Sequence, residues 1–235
     1  MKIAVLSDIH GNIAALKAVL AQIKKSGISR IWILGDMIGY YYYHNEVFAE
    51  LSLWDHSIIA GNHEKIFLQY LKGDQAFCSE IDSKYGNSFK LASQNMQSDL
   101  IERIEHLPDS LVLLLEGKKY MLCHGSPWDI NEYIYPDSPV KILNRFADVD
   151  ADFIFMGHTH YPFFFTVNGK QVINVGSIGQ SRTYGGVANW GIVNVVNNSF
   201  SPQATNYERK ELVESIKKND PDNKYLTEIL YRNNA

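Results

Sequence analysis

The feature that most constrains this chain is a set of five short apolar runs, each stopped by a cluster of polar or ionisable residues. Lys2–Ser7 stops at Asp8-Ile9-His10, and Arg30–Leu34 stops at Gly35-Asp36. His56–Ala60 ends at Gly61-Asn62-His63-Glu64, Lys119–Cys123 at His124-Gly125, and Phe153–Met156 at Gly157-His158-Thr159-His160. Short apolar runs of this kind read as strands buried on both faces. Amphipathic stretches separate several of them, and strands alternating with helices favour an α/β architecture. In such sheets ligands collect at the carboxyl ends of the strands, so the five clusters are expected to converge on one rim.

The rest of the chain fills in this plan. Residues 12–25 predict a helix, with Ile13, Leu16, Val19, Leu20 and Ile23 near helical spacing, Asn12 as its N-cap and Gly27 as its stop. Further helices are expected over residues 45–54, 64–71 and 139–146. Residues 73–106 are more polar and read mainly as helix, a cap-like segment over one side of the core. Residues 111–116 and 119–123 predict a hairpin around Gly117. Residues 163–167, 171–175 and 190–196 read as antiparallel strands, with Asn168-Gly169 as a turn. The tail from Asn206 is charged and helical, interrupted at Pro221. No repeat or linker divides the sequence, which reads as one domain over residues 1–235.

Composition narrows the function classes. The formal net charge is −4 and no basic stripe is visible, so extensive nucleic-acid binding is not expected. No apolar run is long enough for a membrane span, and residues 1–8 carry no apolar signal segment, so the expected location is the cytoplasm. Cys78 and Cys123 match no disulfide or zinc-finger spacing.

The clusters supply Asp8, His10, Asp36, Asn62, His124, His158 and His160: two carboxylates, an amide oxygen and four imidazoles. Mixed nitrogen and oxygen donors suit manganese, iron, zinc, nickel or cobalt, and the absence of thiolates argues against a structural zinc site. Two dications balanced by two carboxylates leave net positive charge, which attracts a phosphate and acidifies bound water. Each cluster alone has a plain reading as a helix cap or turn; the ordered set is far more specific.

That ordered set, with Gly35-Asp36-Met37-Ile38-Gly39 as its second block, resembles the signature of the calcineurin-like metallophosphoesterase superfamily, over residues 1 to about 180. Residues 174–182, NVGSIGQSR, resemble the block that follows the last histidine motif in its small prokaryotic members. The resemblance implies an α/β fold with a double β-sheet sandwich flanked by helices. It implies that Asp8, His10 and His160 bind one divalent metal ion, that Asn62, His124 and His158 bind a second, and that Asp36 bridges the two. Manganese is the first expectation for both ions. The implied activity is hydrolysis of a phosphodiester or phosphomonoester by attack of a metal-bridging hydroxide. The alternative is a metal-binding interaction scaffold on the same fold, as in a retromer subunit that lacks part of the ligand set; here the set is complete.

His63 follows a ligand position directly, so it is expected to donate a proton or stabilise charge beside the leaving group. Glu64 has two readings: orienting His63, or serving as a first-turn carboxylate favoured by the helix dipole. Arg182 follows a glycine-rich turn and reads either as a phosphate contact or as a surface salt bridge. Tyr40–Tyr43 read as packing, with an aromatic lip as the functional alternative. His44, His56 and His106 have no partners at ligand spacing. The expected partner is a small phosphorylated substrate, a nucleotide among the candidates, and a homo-oligomer is compatible with everything above.

Overall fold

In the computed structural model, which describes residues 1–233, the elements follow one another in chain order. Strand β1 (Lys2–Leu6) leads to helix α1 (Ile13–Lys25), β2 (Arg30–Ile33), α2 (His44–Leu51) and β3 (Asp55–Ile58). Four helices come next: α3 (Asn62–Tyr70), α4 (Gln75–Tyr85), α5 (Ser88–Asn95) and α6 (Ser98–Glu105). The hairpin β4 (Ser110–Leu115) and β5 (Lys118–Cys123) is followed by α7 (Val140–Asn144), β6 (Phe153–Met156), β7 (Phe163–Val167) and β8 (Lys170–Asn174). The chain closes with β9 (Val187–Asn194), β10 (Ser199–Asn206), α8 (Lys210–Asn219) and α9 (Lys224–Glu228).

The strands form two mixed five-stranded sheets, ordered β10-β9-β1-β2-β3 and β4-β5-β6-β8-β7. Parallel pairing joins β1, β2 and β3 in the first sheet and β5, β6 and β8 in the second. Because side chains alternate along a strand, each sheet offers two apolar faces. Ile3, Val5 and Trp32 from the first sheet meet Tyr120, Leu122, Phe153, Phe155 and Ile173 from the second, forming the sandwich interior. Trp32 lies fully buried there, its ring centroid 5.5 Å from Tyr120 and 5.8 Å from Phe155. Ala4, Leu6, Ile31 and Ile33 point the other way, into a layer with α1, α2 and the α3–α6 region. On the far face of the second sheet, Ile154, Met156 and Val172 pack on Phe146.

Helix α1 shows the local logic. Ala15, Leu16, Val19, Leu20 and Ile23 are buried, one stripe at helical period. Asn12 caps it by accepting from the Ala15 N–H at 3.1 Å, and the chain leaves through Gly27 at φ +67°.

Two features of the strands go beyond what the sequence indicates. Residues 163–167 and 170–174 do pair antiparallel, but β9 belongs to the other sheet, antiparallel to β1. Periodicity identifies a strand and not its partner, and residues 175–186 carry the chain across the sandwich. Strand β10 was not expected at all. Its sequence, SFSPQATN, is polar and contains Pro202. It is an edge strand, where a residue without an N–H is tolerated.

Candidate metal centre

The polar clusters do meet on one rim. Asp8 and His10 follow β1, Asp36 follows β2, Asn62 and His63 open α3, His124 follows β5, and His158 and His160 follow β6. Backbone contacts lock the loops together: Asp8 N–H donates to Gly35 O at 3.1 Å and His10 N–H to Asp36 O at 2.9 Å. Six side-chain-bearing residues here have left-handed backbones: Asp8 (φ 53°), His10 (φ 52°), Asp36 (φ 55°), Tyr40 (φ 57°), His158 (φ 66°) and His160 (φ 61°). Each such residue costs of order 1–3 kcal/mol, and that strain concentrates where function over-determines the backbone. Here it turns successive side chains off the strand ends toward a common point. Close approach also requires small residues: a Cβ on Gly157 would collide with Ser7 Oγ and the Asp8 carboxylate.

The histidine tautomers follow from their partners. Nδ1 of His10 faces Ile38 O at 3.0 Å, that of His124 faces Leu34 O at 2.7 Å, and that of His160 faces Gln180 O at 2.8 Å. A carbonyl only accepts, so in each ring Nδ1 carries the hydrogen and Nε2 presents a lone pair to the site. His158 is reversed. Its Nε2 donates to Asn131 O at 3.2 Å, which leaves Nδ1 as its open lone pair.

These lone pairs face other acceptors. His10 Nε2 lies 3.0 Å from His160 Nε2, and His124 Nε2 lies 3.0 Å from Asn62 Oδ1. Asp8 Oδ1 lies 3.2 Å from His160 Nε2, and Asp36 Oδ2 lies 3.3 Å from His124 Nε2 and 3.7 Å from His10 Nε2. Acceptors at this spacing repel unless a cation lies among them, so the donor set fits divalent metal ions. A positive charge at this point is favoured by the two carboxylates, and without a metal ion a proton on His124 answers that demand. Burial alone would depress His124, but Asp36 and Asp8 hold its pKa up at about 10. Burial opposes ionisation of Asp36, yet His124 and His63 hold its carboxyl well below the usual carboxylate range. Three buried trios have donor atoms within 4.8 Å of one another: Asp8, His10 and His160; Asp36, His124 and His158; and His10, Asp36 and His63.

His63 is enclosed by rings. Its centroid lies 4.6 Å from His10, 5.1 Å from Tyr40, 4.8 Å from Tyr85 and 5.5 Å from Phe89. Nε2 lies 3.9 Å from Asp36 Oδ2, while Nδ1 is buried with no hydrogen-bond partner. Gly39 makes this position possible, since a Cβ there would collide with Nδ1. Burial pushes the His63 imidazole down to about 4.

Glu64 follows the second expected reading, a carboxylate in the first turn of α3, and does more than that reading implies. It does not touch His63; its carboxylate is fully buried and accepts from the N–H groups of Asp36 at 2.7 Å, Met37 at 2.9 Å, Ile38 at 3.3 Å and Gly61 at 2.7 Å. It clamps the loop that carries Asp36 onto the start of α3. Truncation would strand four buried donors at about 1–3 kcal/mol each, not fully additive. Glu64→Ala is therefore expected to lower stability by about 3 kcal/mol or more, read as a reduced urea midpoint in chelator, with Glu64→Gln losing less.

Arg182 does lie at the site: its N–H donates to His160 O at 3.4 Å, and its side chain is within electrostatic reach of Tyr225, Tyr40, Tyr135 and Tyr133. Tyr40 reaches the centre as well, edge-on to His10 at 4.7 Å. Tyr41 is buried, and the Tyr42 hydroxyl donates to Asp220 at 2.7 Å, so those two are packing residues. His44 is buried, His56 half-buried and His106 exposed, all away from the cluster. Sequence reasoning missed Asn131 and Tyr133, whose loop joins β5 to α7. Tyr133 lies on His158 with ring centroids 4.0 Å apart.

Two mixed sheets face to face, with carboxylates, an amide and imidazoles gathered at their strand ends, define the metallophosphoesterase class of fold and site. The chain belongs to the calcineurin-like phosphoesterase superfamily, whose domain profile matches residues 1–197. It is 32% identical over 238 residues to the uncharacterized protein MJ0912 of Methanocaldococcus jannaschii, covering 92% of each chain. Its fold matches the hypothetical protein PH1004 of Pyrococcus horikoshii (TM-score 0.84, 21% identity, 100% of this chain and 99% of that one). It also matches a metallophosphoesterase from Sphaerobacter thermophilus (TM-score 0.81, 23% identity, 98% of each chain). No helix among the described residues is long and apolar enough to cross a membrane.

Proposed function

We propose that this protein hydrolyses a phosphate ester at a centre holding two divalent metal ions. Asp8, His10 and His160 hold one ion, Asn62, His124 and His158 the other, and Asp36 spans both. The observation that carries this reading is the gathering of buried carboxylate and imidazole donors into trios within 4.8 Å of one another, with carbonyls on Nδ1 of His10, His124 and His160 turning Nε2 into the site. Asp36 would serve both ions, since its carboxylate lies between the two sets, 3.7 Å from His10 Nε2 and 3.3 Å from His124 Nε2. Manganese is our first choice, with iron, zinc, nickel or cobalt compatible with the donors.

When bound, the ions supply Lewis-acid polarisation of the phosphate oxygens and an ionised water at neutral pH. The chain does the rest. Gln180, Leu34 and Ile38 carbonyls fix three imidazoles in the ligating tautomer. His63 directs its ring beside Asp36, where it hydrogen-bonds the ester and steadies charge on the leaving oxygen. Arg182, held beside His160 through its backbone N–H, adds a cation to attract the phosphate. Helices α4 and α5 close the side nearest His63 through Tyr85 and Phe89, the cap role proposed for this segment. His63 is placed to steady an alkoxide leaving group, which diesters and monoesters both release; a diester is our first expectation.

The test is to strip the protein with chelator, restore manganese, and compare bis-p-nitrophenyl phosphate with p-nitrophenyl phosphate. Manganese-dependent cleavage is expected, faster for the diester. Bound metal without cleavage of either ester, in manganese, nickel, cobalt or zinc, would overturn the enzyme reading in favour of a scaffold.

A further inference from the structure

We propose that the ester this protein accepts carries a nucleobase, which stacks on Tyr133 while the phosphate sits at the metal centre. This rests on the hydrolase reading above and adds the substrate class.

A row of rings leads away from the metal centre. His158, a member of one trio, carries Tyr133 at 4.0 Å; Tyr133 lies 6.2 Å from Tyr135 with planes 13° apart; and Tyr135 lies 6.1 Å from Tyr161. Tyr133 is 51% exposed although it rests on the centre itself, so a broad apolar surface stays open to whatever occupies the site. Arg182, whose backbone N–H donates to His160 O at 3.4 Å, has its guanidinium within electrostatic reach of Tyr133 and Tyr135 as well as Tyr40 and Tyr225. Aromatic faces beside a guanidinium suit a ligand that is flat at one end and anionic at the other, which a nucleotide is.

The row is held in place before any ligand arrives. Glu132, next to Tyr133, accepts from Ser126 Oγ at 2.5 Å and from Arg145 at 2.6 Å. Arg145 lies over the Trp128 ring at 4.0 Å, and Asn131 O receives the His158 Nε2–H. A surface aromatic kept for packing alone needs no such anchorage, whereas a stacking platform gains affinity from being fixed in advance. A sugar phosphate without a base would leave Tyr133 facing water.

AMP and ribose 5-phosphate separate the possibilities, because they share phosphate and ribose and differ by the base. Their binding to the manganese-loaded protein is measured by equilibrium dialysis, which reads affinity without counting turnovers. AMP is expected to bind roughly 5- to 150-fold more tightly, the range for one stacked base. Tyr133→Ala should pull AMP down toward ribose 5-phosphate, and Tyr133→Phe should restore the difference. Equal affinities in the native protein, or a preference that survives Tyr133→Ala, overturns the proposal. If bis-p-nitrophenyl phosphate is cleaved while the two ligands bind equally, the base-stacking inference falls alone. If AMP outbinds ribose 5-phosphate but no ester is cleaved, the hydrolase reading falls and the nucleotide site stands.

Discussion

Asp36→Asn is expected to lose bound metal and hydrolysis together, with activity falling by about three powers of ten or more. The substitution changes little else. Asp36 Oδ1 accepts the His63 N–H at 2.8 Å, an anchor the asparagine oxygen can keep. The backbone N–H of residue 36 remains clamped by Glu64. What disappears is one negative charge on the oxygen that lies 3.3 Å from His124 Nε2 and 3.7 Å from His10 Nε2. A neutral amide cannot balance two dications across that gap, and polarisation by such ions is worth several kcal/mol in the transition state, at 1.36 kcal/mol per tenfold. Metal stoichiometry by elemental analysis and turnover of bis-p-nitrophenyl phosphate are measured on the same samples. Full metal content with wild-type turnover would show that Asp36 does not bridge. His124→Ala should reproduce the loss, since His124 faces both Asp36 and Asn62.

The centre was legible in the sequence because every donor sits directly after a buried strand or at the first residue of a helix. Chain order and strand-end position alone brought Asp8, His10, Asp36, Asn62, His124, His158 and His160 to one rim. Features that depend on contacts between distant segments were not legible. Glu64 serves N–H groups 26 to 28 residues earlier in the chain, and no local pattern announces that pairing. Tyr40 adopts a left-handed backbone at φ 57°, which propensity assigns to glycine or asparagine and not to a bulky ring. Strand β10 hides behind polar residues and Pro202, and the sheet that β9 joins is decided by packing, not by its alternation. Tyr133 sits in an irregular stretch of Asn131-Glu132-Tyr133-Ile134-Tyr135 with no period to read. The ligand framework is thus local information at strand ends, while substrate contacts and supports are tertiary.

His63 tests how far that division extends, because the geometry gives it two possible memberships. It belongs to a trio with His10 and Asp36 whose donor atoms could hold an ion. Yet its Nδ1 has no carbonyl to fix a tautomer, and four rings surround it. The three imidazoles with Nε2 facing the cluster each have a carbonyl on Nδ1; His63 lacks that support, so it is read as a substrate-facing group. His63→Ala is accordingly expected to keep both metal ions and lose turnover by roughly 10²–10⁴, the range for a positioned proton donor or charge stabiliser. The loss should be in kcat more than in KM, since the contact strengthens as charge develops on the leaving oxygen. Gly39→Ala should push in the same direction while leaving the imidazole present, because its new Cβ displaces the ring through Nδ1. Elemental analysis decides the matter. If His63→Ala loses metal as Asp36→Asn does, His63 is a ligand and the third trio is real; if metal is retained while kcat collapses in both variants, the ring acts on the ester, and its burial among Tyr40, Tyr85 and Phe89 is what keeps it aimed.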